Sequence, residues 1–289
     1  MIVKENLDLT EYNSYKVHSV AALALFPESV DDVKDILSKY DMSHVCIVGK
    51  GCNSIFAKEY YPTSQPFLFI RDNFSDIDQQ GDILRVLAGT DLKELSVYAM
   101  EHSFTGLEYF YDIPGCVGGA ITMNAGSCGV SFTDYIVDIT YIECETQRIQ
   151  TIGREKLKMG YRDSLFKGNN KNVILECTLK LSKGKKEEIK QQMDDIVLRR
   201  TAKQPRDFPN AGSVFIRPAE NIYVGPMIEG LGLKGFRIGG AEISTKHAGF
   251  IINKGNASGE DIIKLISEIK KRVRMKYNLQ LETEQRIVK

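Results

Sequence analysis

Residues 113–129 read IPGCVGGAITMNAGSCG, and the rest of the chain is best understood outward from this stretch. Six of its 17 residues are Gly or Pro, yet it is apolar and carries no charge. A linker facing water would be polar, so the composition predicts a buried loop whose backbone lies close to a ligand. Within it, Pro114-Gly115-Cys116-Val117-Gly118-Gly119 presents backbone N–H groups with few Cβ atoms in the way, as a diphosphate requires. A second such turn, Gly49-Lys50-Gly51-Cys52-Asn53-Ser54, lies upstream. Neither is a G-x-G-x-x-G sequence opening a helix, which disfavours a Rossmann dinucleotide site. Each turn alone also reads as a plain tight connection; the presence of two in one chain strengthens the phosphate-binding reading.

The flanking segments alternate between strand and helix patterns. Ser29 with Asp32 forms a capping box ahead of an apolar stripe, Val30, Val33, Ile36, Leu37 and Tyr40, which predicts a helix. The apolar run 45–48 predicts a strand feeding the first glycine turn. Residues 83–88 predict another strand, followed by a helix over about 92–100 started by Asp91 and Glu94. Strands are expected over 135–143 and 173–181. A charged amphipathic helix over 184–200, with Ile189, Met193, Ile196 and Val197 inward, is expected to link two domains. The last third holds strand-like 213–216 and 249–252. A helix over about 258–277 then places Ile262, Leu265, Ile266, Ile269 and Val273 in register.

The 289-residue length predicts two or three compact units. Lys plus Arg (38) equals Asp plus Glu (38), so no global field draws nucleic acid or a membrane, and an anionic ligand must be held by local groups. The opening MIVKENLDLT lacks the basic and apolar regions of a signal peptide, and no apolar run approaches the roughly 20 residues of a membrane span. A cytoplasmic protein is expected. Six cysteines (46, 52, 116, 128, 144 and 177) form no C-x-x-C pair and read as reduced, mostly buried residues. Four scattered histidines, at 18, 44, 102 and 247, give no metal-ligand spacing, so no metal is expected.

The run GLEYFYDIPGCVGGAITMNAGSCG, residues 106–129, resembles the G-L-E-x-x-x-x-I-P-G-x-V-G-G-A-x-x-M-N-A-G segment of UDP-N-acetylenolpyruvoylglucosamine reductases. Other segments resemble the same family in the same order. They are the turn 49–54, Tyr161-Arg-Asp-Ser-Leu-Phe, Lys203-Gln-Pro, Asn210-Ala-Gly-Ser-Val-Phe, Gly239-Gly-Ala, Lys246-His-Ala-Gly-Phe-Ile and the terminal Leu281-x-x-Glu284. The resemblance covers nearly the whole chain from about residue 8. It implies an α+β architecture: a two-subdomain FAD-binding fold of the vanillyl-alcohol-oxidase type, over 1–75 and 76–184, plus a C-terminal α+β substrate domain over 185–289. It further implies non-covalent FAD, NADPH as hydride donor, and a monomer. On that resemblance NADPH would reduce the flavin and leave, and the enolpyruvyl ether of a UDP-sugar would then enter and receive hydride at its vinyl CH2 from flavin N5. The length matches the shorter family form, which lacks an insertion bearing a substrate-binding tyrosine.

The resemblance assigns catalysis to Arg162, Ser213 and Glu284. Hydride addition to a double bond conjugated to a carboxylate builds negative charge, which calls for a fixed cation and then a proton at the α-carbon. Arg162 has the bidentate fork for a carboxylate. Ser213 matches the proton donor and needs neighbouring groups to activate it. Glu284 matches the third catalytic residue, with Glu282, two positions away, as the competing candidate. Read without the family, Arg162 is better taken as an ion-paired surface arginine and Ser213 as a strand-entry hydroxyl bonded to its own backbone. Tyr161, Lys203 and Arg217 are expected to bind substrate, the two cations on its diphosphate. Gly49, Lys50, Gly51, Cys52, Asn53, Ser54, Pro114, Gly115, Cys116, Gly118, Gly119 and Asn124 are expected to bind the flavin nucleotide. Two other readings stay open on sequence grounds: a sugar or alcohol oxidase of the same flavin fold, and a non-catalytic flavin-binding relative.

The chain departs from the family pattern where Cys52 and Cys116 replace the usual Ser and Thr, and where His18-Ser19 replaces Gly-Gly. A thiol donates more weakly than a hydroxyl, by roughly 1 kcal/mol for each hydrogen bond affected. A flavin held less tightly than usual is expected. Restoring Ser at both positions is therefore expected to raise FAD occupancy after purification, read as the ratio of visible to ultraviolet absorbance; an unchanged ratio removes the expectation.

Overall fold

Two clusters of buried apolar side chains organise the computed structural model, which describes residues 1–168 and 171–289, and each cluster belongs to one of two compact units. The first unit comprises residues 1–5, 23–50 and 63–198 and the second comprises 6–22, 51–62 and 199–289.

In the first unit, strands Cys46–Val48 and Phe67–Phe69 run parallel, and Phe67–Phe69 also pairs in parallel with Ala24 and Leu25 of strand Val20–Phe26. Helix α1 (Val30–Lys39) covers this sheet. Ser29 accepts from Asp32 N at 3.1 Å, and Val33, Ile36 and Leu37 are buried, as the stripe predicted. A second, antiparallel sheet has the order Ile149–Gly153, Ile136–Glu143, Asn172–Lys180, Ile83–Leu87, Ile77–Gln80. Helix α2 (Leu92–Glu101) is capped by Asp91, whose side chain accepts from Lys93 N and Glu94 N. Helix α3 (Val117–Met123) packs against strands Ile83–Leu87 and Asn172–Lys180.

Helix α3 corrects the expectation that 113–129 is a loop. Val117, Ala120 and Ile121 repeat at helical spacing and all three are buried. Burying that face outweighs the roughly 1 kcal/mol per residue that each helical glycine costs. Gly126–Ser127 and Val130–Ser131 then form a short antiparallel hairpin.

Helix α4 (Lys186–Lys203) buries Ile189, Met193 and Ile196, with Val197 half-buried, and carries the chain from the first unit into the second at 198/199. In the second unit, Arg237–Ile238, Ala241–Ile243 and Ile251–Asn253 form an antiparallel sheet. It is joined by helix α5 (Val224–Gly230) and helix α6 (Gly259–Tyr277), which starts in a capping box at Ser258 and buries the five predicted apolar residues. Strand Arg286–Val288 runs parallel to Ser54–Phe56. That pairing, with Val20 and Ala21 on Tyr60 and Tyr61, draws 6–22 and 51–62 into the same unit as 199–289. These parallel pairings join segments that lie far apart in the chain. All six cysteines are free; Cys46, Cys116 and Cys177 are buried, Cys52 and Cys144 half-buried, and Cys128 exposed.

No helix among the described residues is long and apolar enough to cross a membrane. Replacing Ile262, fully buried on α6, by Ala is expected to cost roughly 2–5 kcal/mol of unfolding free energy. Met275→Ala, at a 77 % exposed residue of the same helix, should stay within about 0.5 kcal/mol, both measured by denaturant titration.

Candidate active site

Arg162 belongs to the first unit. Its backbone is left-handed, φ 55°, within a turn closed by the Gly160–Asp163 bridge. Its Nη1 donates to Asn124 O at 3.3 Å and Nη2 to Gly126 O at 3.1 Å, so two neutral carbonyls aim the guanidinium. The Tyr161 ring lies 5.2 Å from the guanidinium carbon, in cation–π range, and is 52 % exposed. Asn124 supplies the anchor for this arrangement. It ends α3 in a left-handed conformation, φ 40°, donates from Nδ2 to Gly160 O at 2.8 Å, and accepts from Thr133 Oγ1 at 2.9 Å. Ser164 Oγ adds a bond to Thr122 O at 2.7 Å. The segment 122–126 and the segment 160–164 are thereby laced together, which gives Arg162 a fixed base.

The first glycine turn begins in the same unit. Lys50 Nζ sits 2.6 Å from Asp91 Oδ2 and 3.2 Å from Asp72 Oδ1, tying the turn to the cap of α2. Partial burial works against the ammonium, and the two carboxylates outweigh it, leaving the Lys50 pKa raised. A Cβ on Gly49 would meet Cys116 Sγ at 2.5 Å, and one on Gly118 would meet Ala88 at 3.2 Å. Internal packing thus leaves no room for a side chain at Gly49 unless the thiol moves, and little room at Gly118. A Cβ on Gly119 would meet nothing closer than Cys116 Sγ at 3.7 Å. The protein's own packing does not account for a glycine there. The Cys116 thiol is 2 % exposed, lies 3.7 Å from Ile70 O, and is pushed up in pKa by burial. Its donor points into the protein, so position 116 offers a ligand its backbone; the gain expected from a restored hydroxyl falls to position 52.

Ser213 and Glu284 belong to the second unit, where their segments lie side by side. Val214 N donates to Gly249 O at 3.0 Å, while Glu284 N donates to Val214 O at 2.8 Å and Ile216 N to Glu282 O at 2.9 Å. With Phe215 bridged to Thr283, the segments 214–216 and 282–284 form one antiparallel pair, and Ser213 bridges Phe250 on its other side. Strand-like 213–216 is thus held by bridges between two neighbours. Glu284 is half-buried and Glu282 exposed, and Asn53 Nδ2 donates to Glu284 O at 3.1 Å. A Cβ on Gly51, φ 67°, would lie 2.0 Å from Tyr12 O, so this glycine serves both conformation and packing. Arg217 is half-buried, with its guanidinium 5.6 Å from the ring of Tyr223, an exposed residue that sequence reading passed over. Lys203 is exposed at the last residue of α4, where Lys246 Nζ donates to Thr201 O at 2.7 Å. His247 Nδ1 accepts from Gly249 N at 3.1 Å, and burial lowers the pKa of this ring, which keeps that nitrogen an acceptor at neutral pH.

Comparison with known proteins matches residues 21–152 to the FAD-binding domain family and 204–288 to the C-terminal domain of UDP-N-acetylenolpyruvoylglucosamine reductase. The protein of that name from Fervidobacterium nodosum is 39 % identical over 96 % of this chain and 89 % of its own length. Its counterpart from Francisella tularensis is 37 % identical over 99 % of this chain and 100 % of its own length. The crystal structure of the Thermus caldophilus reductase superposes with a TM-score of 0.84 at 28 % identity, covering 100 % of each chain. The chain belongs to the UDP-N-acetylenolpyruvoylglucosamine reductase family.

Family membership makes the chain an FAD-containing oxidoreductase, and its residues fit that cofactor. Gly119 leaves a side-chain-free position beside its turn, and Gly115, φ 151°, meets nothing nearer than Leu92 at 3.8 Å. Both keep backbone accessible to a large planar or phosphorylated group. No group of three or more His, Cys, Asp or Glu among the described residues is placed to hold a metal ion. The sequence reading also missed Asp91 as partner of Lys50; its N-cap position was visible, its second oxygen's role was not.

Asn124→Ala leaves Gly160 O and Thr133 Oγ1 without this partner and puts a Cβ-bearing apolar residue at φ 40°. A loss of roughly 2–4 kcal/mol in denaturant unfolding is expected. Asn124→Gly is expected to recover only the backbone part, giving an intermediate midpoint.

Proposed function

We propose that this protein reduces the enolpyruvyl ether of UDP-N-acetylglucosamine to the lactyl ether, UDP-N-acetylmuramate, with NADPH as the electron source. The observation that carries the reading is the antiparallel pairing of 214–216 with 282–284, which sets Ser213 and Glu284 in adjacent segments of a family named for this reduction. Bound FAD supplies the hydride chemistry.

The chain's own residues then have defined tasks. Arg162 holds the substrate carboxylate: its charge is permanent, its planar fork matches two oxygens, and the carbonyls of Asn124 and Gly126 set its direction in advance. A donor fixed before charge develops costs no reorganisation when it is needed. Ser213 gives its hydroxyl proton to the substrate α-carbon, and Glu284, half-buried beside that segment, orients or replenishes the proton. Lys203 and Arg217 bind the diphosphate, and Tyr161 lines the sugar or enolpyruvyl side. The turns 49–54 and 114–119, with Asn124, hold the flavin nucleotide. In this reading the protein is a cytoplasmic monomer without nucleic-acid or membrane partners. It supplies peptidoglycan precursors, and so cell-wall growth, cell shape and division.

Purified protein is expected to show a flavin band that NADPH bleaches and that recovers on anaerobic addition of the enolpyruvyl UDP-sugar. Bleaching without recovery overturns the substrate assignment. Arg162→Ala and Ser213→Ala are expected to slow recovery by about 100-fold or more while leaving bleaching by NADPH intact. Glu284→Gln within a few-fold of wild type would remove Glu284 from the catalytic set and turn attention to Glu282.

A further inference from the structure

Gln285 follows Glu284 directly and is 3 % exposed, yet its whole carboxamide is engaged. Its Nε2 donates to Ala211 O at 3.0 Å, to Gly212 O at 3.2 Å and toward Ser213 O at 3.5 Å. Its Oε1 accepts from the Tyr15 hydroxyl at 2.9 Å. Tyr15 is completely buried, and its carbonyl accepts from Asn253 Nδ2 at 2.8 Å. All of these residues belong to the second unit.

The polarity of this chain of bonds is forced. Three backbone carbonyls only accept, so the NH2 end of the carboxamide must face them and the oxygen must face Tyr15. Tyr15 must then donate, which needs the neutral phenol, and burial raises its pKa above the ordinary range. No ionised group takes part, so the arrangement holds across neutral pH.

The consequence falls on Ser213. Gly212 stands immediately before it with φ 79° and no atom within 4 Å of the place a Cβ would occupy. The surroundings leave room for Gly212 to turn, a glycine is the residue best able to do so, and Asn210 Oδ1, which accepts from its N–H at 3.1 Å, holds one side of it. The Gln285 carboxamide spans the carbonyls on both sides of this potential hinge and removes that freedom. Gln285 is also the chain neighbour of Glu284, so the lock sits beside both residues.

We propose that Gln285, with Tyr15 behind it, is a positioning residue that locks the Ala211–Ser213 backbone and thereby sets the Ser213 hydroxyl against the substrate α-carbon. The consequence for turnover rests on the reductase reading above; the lock itself does not. Gln285 touches no reacting atom. Its effect is on geometry, where a displacement of about 1 Å is worth up to 100-fold in rate.

The test uses full-length flavin-loaded protein and the variants Gln285→Leu, Gln285→Glu and Tyr15→Phe. Hydrogen exchange of peptides covering 209–216 is expected to quicken at least tenfold in both Gln285 variants and less in Tyr15→Phe. Gln285→Glu keeps the side chain's shape but sets acceptors against acceptors, so it is expected to be no better than Leu; a space-filling role would be rescued by it. In stopped flow, bleaching by NADPH is expected to match wild type, while recovery on the enolpyruvyl UDP-sugar slows about 10- to 100-fold in the Gln285 variants and about 3- to 10-fold in Tyr15→Phe. KM for that substrate is expected to stay within about threefold, since ground-state binding is not what Gln285 serves. Unchanged exchange at 209–216, rescue by Glu, or faster exchange with an unaltered recovery rate each overturn the proposal. A wild-type protein that never recovers with the substrate refutes the reductase reading alone, because the exchange arm still decides the lock.

Discussion

The second unit depends on where the end of the chain is held. Thr283 bridges Phe215, and three residues later Arg286–Val288 pairs in parallel with Ser54–Phe56. Two pairings with different partners, one antiparallel and one parallel, share a single short segment. Asn53 reinforces the junction from both directions: its side chain donates to Glu284 O, 231 positions away, and its carbonyl accepts from Arg286 N at 2.9 Å. An edge segment with this many backbone partners has little freedom to slip, and register is what decides which side chains face out. The pairing therefore fixes Glu284, Ser213 and the end of the first glycine turn through one set of backbone bonds.

The first unit solves a related problem by other means. Arg162 occupies a left-handed conformation that most side chains avoid, and Asn124 does the same at the end of α3. Each such residue costs of order 1 kcal/mol, and the lacing between 122–126 and 160–164 offsets it. The result is a guanidinium aimed by neutral carbonyls. The carbonyls of Asn124 and Gly126 orient it without altering its charge. This suits a chain with no net charge, in which attraction for an anionic ligand has to be local.

The glycines show how closely function and folding are mixed. A Cβ would strike Cys116 at Gly49 and Tyr12 at Gly51, and would crowd Ala88 at Gly118, whatever ligand is present. Gly119 has no such internal reason. A glycine-rich motif is thus partly a packing device and partly a ligand surface, and only contacts separate the two. Lys50 makes the same point, since its ammonium is held by Asp72 and Asp91.

Much was legible in the residues alone. The capping box at Ser29, the Asp91 cap and the five-residue stripe of α6 are local signals, written within a few positions of each other, and the helices formed where they pointed. The family, the flavin and the candidate residues Arg162, Ser213 and Glu284 were legible from ordered motifs. Helix α3 was not, because its glycines argue against a helix and only the burial of Val117, Ala120 and Ile121 against two strands reverses that preference. Nor was the assignment of 6–22 and 51–62 to the unit containing 199–289, since parallel pairing leaves no mark at any spacing in the sequence. Gln285 looked like an unremarkable polar residue until its amide was seen spanning three carbonyls beside Tyr15. Sequence by itself determined the chemistry available, because side-chain type and local periodicity are carried residue by residue. Tertiary structure decided which of those groups are spent on holding one another, because hydrogen-bond partners and buried contacts exist only once distant segments meet.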